Sequence, residues 1–275
     1  MQKFAVFGNP IQQSRSPLIH QAFAKQANLT IDYSAELSTK EEFCSDVERF
    51  FAHKQATGCN VTAPFKLLAC RLVHTISEEA KLAGAVNTIA KLSDGSLAGY
   101  NTDGVGLIND ISRQNVELYG KSILILGAGG AARGVIRALI NQNPYSITIA
   151  NRTVQKAKEL VEIGETIKHT LPLTATNFDD IDEHSFDIVI NATSLSLDNQ
   201  IPPISAPVVA EADLVYDMVY ASQPTSFLAW AKGAGATKIS DGLGMLVGQA
   251  AMSFKIWTDF MPNIQPVITE LREQL

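Results

Sequence analysis

The chain has 275 residues, a net charge of -6 at neutral pH, 46% hydrophobic residues and 18% charged ones. That length suits one large or two ordinary domains, and the composition is that of a soluble globular protein, not a disordered one. The negative balance argues against nonspecific nucleic-acid binding, which needs a basic face, and no stretch approaches the roughly 18 apolar residues of a membrane span, so neither partner is expected.

Phe4–Phe7 reads as a strand reached directly from Met1, with no apolar leader, so no signal peptide is expected. Ser14-Arg15-Ser16-Pro17 follows. In an extended segment Ser14 and Ser16 point the same way, and Pro17 in a first helical turn makes Ser16 the expected N-cap. Two hydroxyls at a helix N-terminus suit a carboxylate, although a simple capped helix explains these four residues as well. A helix is expected over Pro17–Ala27, a strand over Asp32–Leu37, a helix over Lys40–Ala52 and a strand over Gly58–Val61. In Asn60-Val61-Thr62-Ala63-Pro64-Phe65-Lys66, Asn60 and Thr62 share one face and Pro64 stops the strand. Lys66 then begins a helix, against the macrodipole, which suggests a task, although an exposed surface lysine is the commoner outcome. Another helix is expected around Ser77–Ala83. Asp94-Gly95 marks a hairpin turn between Asn87–Leu92 and Leu97–Tyr100. Asn87-Thr88 and Asn101-Thr102-Asp103 each lie at the end of a short strand, where ordinary turn chemistry competes with function.

Gly104–Asn115 reads as a connecting helix. Beyond it, the apolar run Ser122–Leu126 breaks into Gly127-Ala128-Gly129-Gly130-Ala131-Ala132, and a helix is expected from Ala131 to Asn143. A strand, a glycine turn and a helix in that order form a dinucleotide-binding unit, in which glycines let the backbone approach a pyrophosphate at the helix N-terminus. NAD binders place an acidic residue about 20 positions later to accept from the ribose 2′-hydroxyl. Here Ile147–Ala150 leads instead to Asn151-Arg152-Thr153, and a guanidinium there suits a 2′-phosphate, so NADP is the expected cofactor. Further strands are expected at Asp187–Asn191, Leu214–Met218 and Lys238–Ser240, followed by one long C-terminal helix through Gln249 and Trp257.

The pattern predicts an α/β protein of two domains with a cleft between them: a substrate domain over 1–103, onto which 242–275 packs back, and a Rossmann-type NADP-binding domain over 104–241. The three cysteines, Cys44, Cys59 and Cys70, are odd in number and lack C-x-x-C spacing, as expected of reduced thiols in a cytoplasmic protein. Cys59, Tyr145, Trp230 and Trp257 are expected to pack, and His20 and His74 to be surface or capping residues. The five histidines show no metal-ligand spacing, and no metal is expected.

Taken together, the segments Ser14–Pro17, Asn60–Lys66, Gly84–Thr88, Asn101–Gly104, Gly127–Arg133, Asn151–Thr153, Asn191–Ser194, Tyr216–Tyr220, Gly242–Leu246 and Gln249-Ala250 resemble the shikimate dehydrogenase family over nearly the whole length. The resemblance implies reversible NADPH-dependent reduction of 3-dehydroshikimate to shikimate, a step of aromatic amino-acid biosynthesis. It implies that Ser14 and Ser16 hold the substrate carboxylate with Tyr220 nearby, and that Thr62, Asn87, Asp103 and Gln249 bind ring hydroxyls. Lys66 and Asp103 match the catalytic acid–base pair. Gly127, Ala128, Gly129, Gly130 and Ala131 match the pyrophosphate turn, Asn151, Arg152 and Thr153 the adenosine-phosphate site, and Met218, Gly242 and Glu78 further cofactor contacts. A homodimer is compatible with this reading.

Two segments depart from the family pattern. Ser196 stands where a glycine is usual, which requires a different backbone if that glycine has positive φ. Ala221-Ser222 replaces the usual Asn-Pro, although Thr225 keeps its spacing. The alternatives are a dehydrogenase of dual quinate and shikimate specificity, and a non-catalytic NADP-binding metabolite sensor on the same fold.

Overall fold

The computed structural model describes residues 1–181 and 186–275. These residues divide into two compact units, one comprising 1–106 and 247–270, the other 107–246 and 271–275. Both divisions near 106 and 246 fall inside helices.

The first unit opens with β1 (Gln2–Gly8), α1 (Ser16–Gln26), β2 (Ile31–Leu37), α2 (Phe43–Phe51), β3 (Ala56–Val61), α3 (Lys66–Leu72), β4 (Thr75–Ile76), α4 (Glu78–Ala83), β5 (Thr88–Lys91) and β6 (Leu97–Tyr100). Its sheet has the order β2-β1-β3-β5-β6-β4. Strands β2, β1 and β3 run parallel, whereas β5 is antiparallel to both β3 and β6. The Asp94-Gly95 turn closes that hairpin. Gly95 takes a φ of 88°, and Asp94 accepts from the Ser96 backbone and hydroxyl. β4 is two residues long, too short for a periodic signal.

One face of this sheet buries Phe7, Phe43, Val47, Phe65, Val86 and Ile89. Elsewhere in the unit Phe4, His20, Tyr33 and Trp257 form an aromatic cluster of stacked and tilted rings. Gly58 makes room for it, since a Cβ there would enter the Trp257 indole, whose Nε1 donates to the Ile89 carbonyl at 3.0 Å. Cys59 is buried as expected, and burial pushes its thiol far up.

His20 departs from the expectation of a surface or capping residue. It is fully buried, stacked on Tyr33 with centroids 4.5 Å apart, and neither ring nitrogen has a hydrogen-bond partner. Burial lowers its pKa from 6.5 to about 3, because the charged imidazolium loses its hydration there. The helix spacing Ile19-His20-Phe23-Ala24 places the imidazole on the apolar face of α1, and that face decides its fate. His74 is exposed and its Nδ1 accepts from the Leu97 backbone.

After α5 (Asp103–Arg113), the second unit continues with β7 (Ser122–Leu126), α6 (Gly130–Ile140), β8 (Ser146–Ala150), α7 (Val154–Ile167), β9 (Leu173–Thr176), β10 (Ile188–Asn191), α8 (Pro207–Ala210), β11 (Leu214–Asp217), α9 (Ser226–Gly233) and β12 (Ile239–Asp241). All its strands are parallel, in the order β12-β11-β10-β7-β8-β9. In β7, Ile123 and Ile125 join one core and Leu124 and Leu126 the other. Both faces are covered, so the strand reads as an unbroken apolar run, not an alternating one. The order reverses between β7 and β10, which is where a parallel sheet of this type opens a crevice at its strand C-termini.

The C-terminal segment differs from the single long helix expected. α10 (Leu243–Thr258) ends where Asp259 turns to a φ of 60°, and α11 (Ile264–Glu273) follows Pro262. A residue in the left-handed region with a proline shortly after it ends a helix.

Candidate functional site

In the first unit the structure joins Lys66, Asn87, Asp103 and Gln249 directly. Lys66 is the first residue of α3 and Asp103 the first of α5. The lysine Nζ lies 2.6 Å from Asp103 Oδ2, and Asn87 Nδ2 donates to Asp103 Oδ1 at 2.9 Å. Each carboxylate oxygen thus has its own donor, while Asn101 Oδ1 accepts from the Asp103 backbone N–H at 3.1 Å. At a helix N-terminus the carboxylate also gains from the exposed N–H dipoles. The Lys66 side chain is 32% exposed and that of Asp103 12%, so the lysine is the member a small molecule can reach. Gln249 Oε1, on α10, lies 3.3 Å from the Thr102 hydroxyl and 3.5 Å from Asn87 Nδ2.

Ser14 and Ser16 lie together, with Ser14 Oγ accepting from the Ser16 backbone at 3.3 Å. The capping role expected of Ser16 is not its own. Arg15 occupies the N-cap with φ -85° and ψ -6°, so the segment bends into the helix before Ser16 and is not extended there. Ser14 then supplies the hydroxyl that meets an early N–H. The Tyr33 hydroxyl donates to Asn60 Oδ1 at 2.7 Å. Thr62 follows β3, half-buried, with its methyl against Gly8. Glu78 is exposed in the first turn of α4, which Ser77 caps.

In the second unit Gly127 turns with a φ of 105°, and a Cβ there would lie 3.1 Å from Thr193 and 3.3 Å from Ala192. Only glycine fits that turn. A Cβ at Gly129 or Gly130 would meet nothing, so the N-terminus of α6 is open; Gly129, Gly130 and Ala131 are exposed and no side chain caps them. Ala128, buried, donates its N–H to Asn151 Oδ1 at 3.2 Å, and Asn151 Nδ2 donates to the Thr153 carbonyl. Arg152 and Thr153 between them and α7 are exposed. Open N–H groups without an acidic first turn, and a guanidinium after the neighbouring strand, fit a phosphorylated dinucleotide. Gly242 packs on the Met218 backbone so closely that a Cβ would overlap it, and its N–H donates to the Val219 carbonyl at 3.2 Å. Tyr220 is half-buried just beyond.

The Ser196 position resolves simply. Residues Leu195–Asp198 form a 3-10 turn in which Asn199, not Ser196, takes the left-handed conformation. Ser196 is buried and donates to Asp217 Oδ2 at 2.6 Å, an oxygen that Thr225 also reaches at 2.6 Å. Burial raises the Asp217 pKa, opposed by hydrogen bonds from Ser196, Thr225, the Val219 backbone and Asn191. Among the described residues no cluster of metal-ligating side chains occurs.

Sequence reasoning placed Asn60, Thr88 and Thr102 in the motif segments without giving them a role, and did not single out Ser253, although all four are bonded into the site. Ser253 had a signal: it lies four residues after Gln249 on α10, on the same helical face.

Three family models match: the shikimate dehydrogenase substrate binding domain over residues 6–89, shikimate/quinate 5-dehydrogenase over 110–199, and the shikimate 5′-dehydrogenase C-terminal domain over 242–272. The chain is 46% identical over 275 residues to the shikimate dehydrogenase (NADP(+)) of Photobacterium profundum, covering 100% of this chain and 99% of that one. Among solved structures, the Ael1 enzyme from Pseudomonas putida is 38% identical with a TM-score of 0.92, covering 98% of both chains. A Thermus thermophilus shikimate 5-dehydrogenase in complex with NADP(H) and shikimate is 30% identical with a TM-score of 0.86, covering 100% of both.

Proposed function

Because the chain belongs to the shikimate dehydrogenase family, we infer that it catalyses the reversible NADP-linked interconversion of 3-dehydroshikimate and shikimate. The observation that carries the mechanism is the 2.6 Å Lys66–Asp103 pair at the reachable end of a buried polar network. NADPH, when bound, supplies a hydride to the carbonyl carbon. The carbonyl oxygen then gains negative charge and needs a positive donor and a proton. Lys66 supplies both, and Asp103 holds the ammonium in place. Asn87 and Gln249, bonded to the same cluster, offer amide groups to ring hydroxyls. The Ser14 and Ser16 hydroxyls at the start of α1 suit the substrate carboxylate, with Thr62 completing the set within that unit.

For the cofactor, the open N-terminus of α6 and the Gly127 turn suit a pyrophosphate, and the exposed Arg152 suits the 2′-phosphate. The purified protein is expected to reduce NADP with shikimate, followed by NADPH absorbance. Absence of turnover while NADP binds would favour the sensor alternative. Replacing Arg152 by aspartate should raise the KM for NADP about 10- to 100-fold, the worth of a charge-assisted contact, and improve the relative use of NAD. An unchanged NADP/NAD ratio would remove Arg152 from the phosphate site. The match to a shikimate/quinate model also makes quinate the second substrate to compare.

The three thiols are free, which suits the cytoplasm, and recovery in an oxidising compartment on cell fractionation would contradict that location. No described helix is long and apolar enough to cross a membrane.

A further inference from the structure

Behind Lys66 and Asp103 lies a chain of buried hydroxyls and amides whose direction is set by backbone groups. The Thr102 N–H can only donate, and it meets Asn87 Oδ1 at 3.0 Å. That fixes the Asn87 amide with Nδ2 toward Asp103 Oδ1. At the far end the Asn87 carbonyl can only accept, and it receives Asn60 Nδ2 at 3.2 Å, which turns Asn60 Oδ1 toward the Tyr33 hydroxyl. Between these two ends Thr88 has one hydroxyl proton, and it points to Asn87 Oδ1 at 2.8 Å. Ser253 Oγ lies 2.7 Å from Thr88 Oγ1 and accepts from Asn60 at 3.0 Å, and its single proton has Thr88 Oγ1 and the Gln249 carbonyl, at 3.1 Å, as acceptors. Thr88 and Ser253 are both fully buried, so neither can touch substrate.

Resting on the dehydrogenase reading above, we propose that Thr88 and Ser253 are positioning residues: the Thr88 hydroxyl, seated against Ser253, joins the Thr102 N–H in holding the Asn87 amide in the orientation that donates to Asp103. With that donor misplaced, Asp103 Oδ1 loses its partner, and the carboxylate that holds Lys66 gains rotational freedom. A donor moved by a fraction of an ångström affects the reacting geometry more than the ground-state binding.

The experiment compares Thr88→Val, which keeps the volume and removes the hydroxyl, with Thr88→Ser, which keeps the hydroxyl and opens a methyl-sized void. Steady-state kinetics with shikimate and NADP and thermal melting are measured on each. The hydroxyl role predicts opposite rankings in the two measurements. Thr88→Val loses about tenfold or more in kcat with little change in KM, while Thr88→Ser retains most of the turnover although its midpoint falls. Ser253→Ala should lower kcat in the same direction by a smaller factor. Activity that follows melting temperature across all three variants would make the role structural and overturn the proposal, as would failure of both Thr88→Val and Ser253→Ala to fold. Wild-type turnover with kinetically indifferent variants overturns the positioning role alone. Absence of wild-type turnover overturns the reaction itself, and the positioning role with it.

Discussion

Replacing Lys66 with alanine is expected to cut kcat for shikimate oxidation by about 10²- to 10⁴-fold, the range a positioned proton-transfer group contributes. The loss should be chemical and not a loss of fold. Lys66 is one-third exposed, and Asp103 keeps its Asn87 donor when the lysine is removed, so the carboxylate is not left without a partner. Melting should therefore change little while turnover collapses. Asp103→Asn should lower kcat as well, since an amide keeps a hydrogen bond with Asn87 but cannot hold an ammonium by charge. Steady-state kinetics in both directions on the two variants, beside their circular dichroism, decides the matter. A Lys66→Ala enzyme within about threefold of wild type would remove Lys66 from the chemistry.

Stability is expected to fall steeply in acid because of His20. In the unfolded chain its imidazole takes a proton below about 6.5, whereas in the folded protein it does so only below about 3. Between those values the unfolded state holds more protons, so folding stability rises with pH and is lost as the pH drops. The loss approaches about 1.4 kcal/mol per pH unit below 6.5 and sums to roughly 5 kcal/mol near pH 3. The Asp217 carboxyl works in the opposite sense. Its pKa is raised by burial, so the folded state binds that proton more tightly and gains from acid. Denaturant unfolding of wild type and His20→Phe between pH 4 and 8 separates the two, because Asp217 is common to both. The phenylalanine variant should show the flatter dependence, and parallel curves would show that His20 does not titrate on unfolding.

The residues that made the fold legible are those whose chemistry is local. Ile123–Leu126 followed by the Gly127 turn announces a strand and an anion-binding helix because apolar runs and glycines act within a few residues. Asp94-Gly95 announces its hairpin for the same reason. Lys66 and Asp103 were paired only through the family resemblance, and the structure joins them across 37 positions of sequence. What stayed hidden depends on partners far along the chain. His20 looked like a surface histidine until Tyr33 and Trp257 were placed against it. Ser196 looked like a misfit for a glycine, since nothing nearby in sequence reveals the Asp217 carboxylate that receives its hydroxyl. The end of α10 at Thr258 was missed because Asp259 carries no obligation to turn left-handed, as a glycine would advertise.

The first unit is assembled from two stretches of chain that lie far apart, 1–106 and 247–270, whereas most of the second is the single stretch 107–246. Gly58 leaves a gap for the Trp257 indole, and Asn60 awaits the Ser253 hydroxyl. During synthesis, the residues made first therefore have to wait for those made almost last, while the later-starting unit can close around its own sheet in the meantime. A nascent chain halted just short of Val247 should be cut by protease within 1–106 while much of 107–246 resists. The amino-terminal half would then be the part most dependent on chaperones, despite leaving the ribosome first.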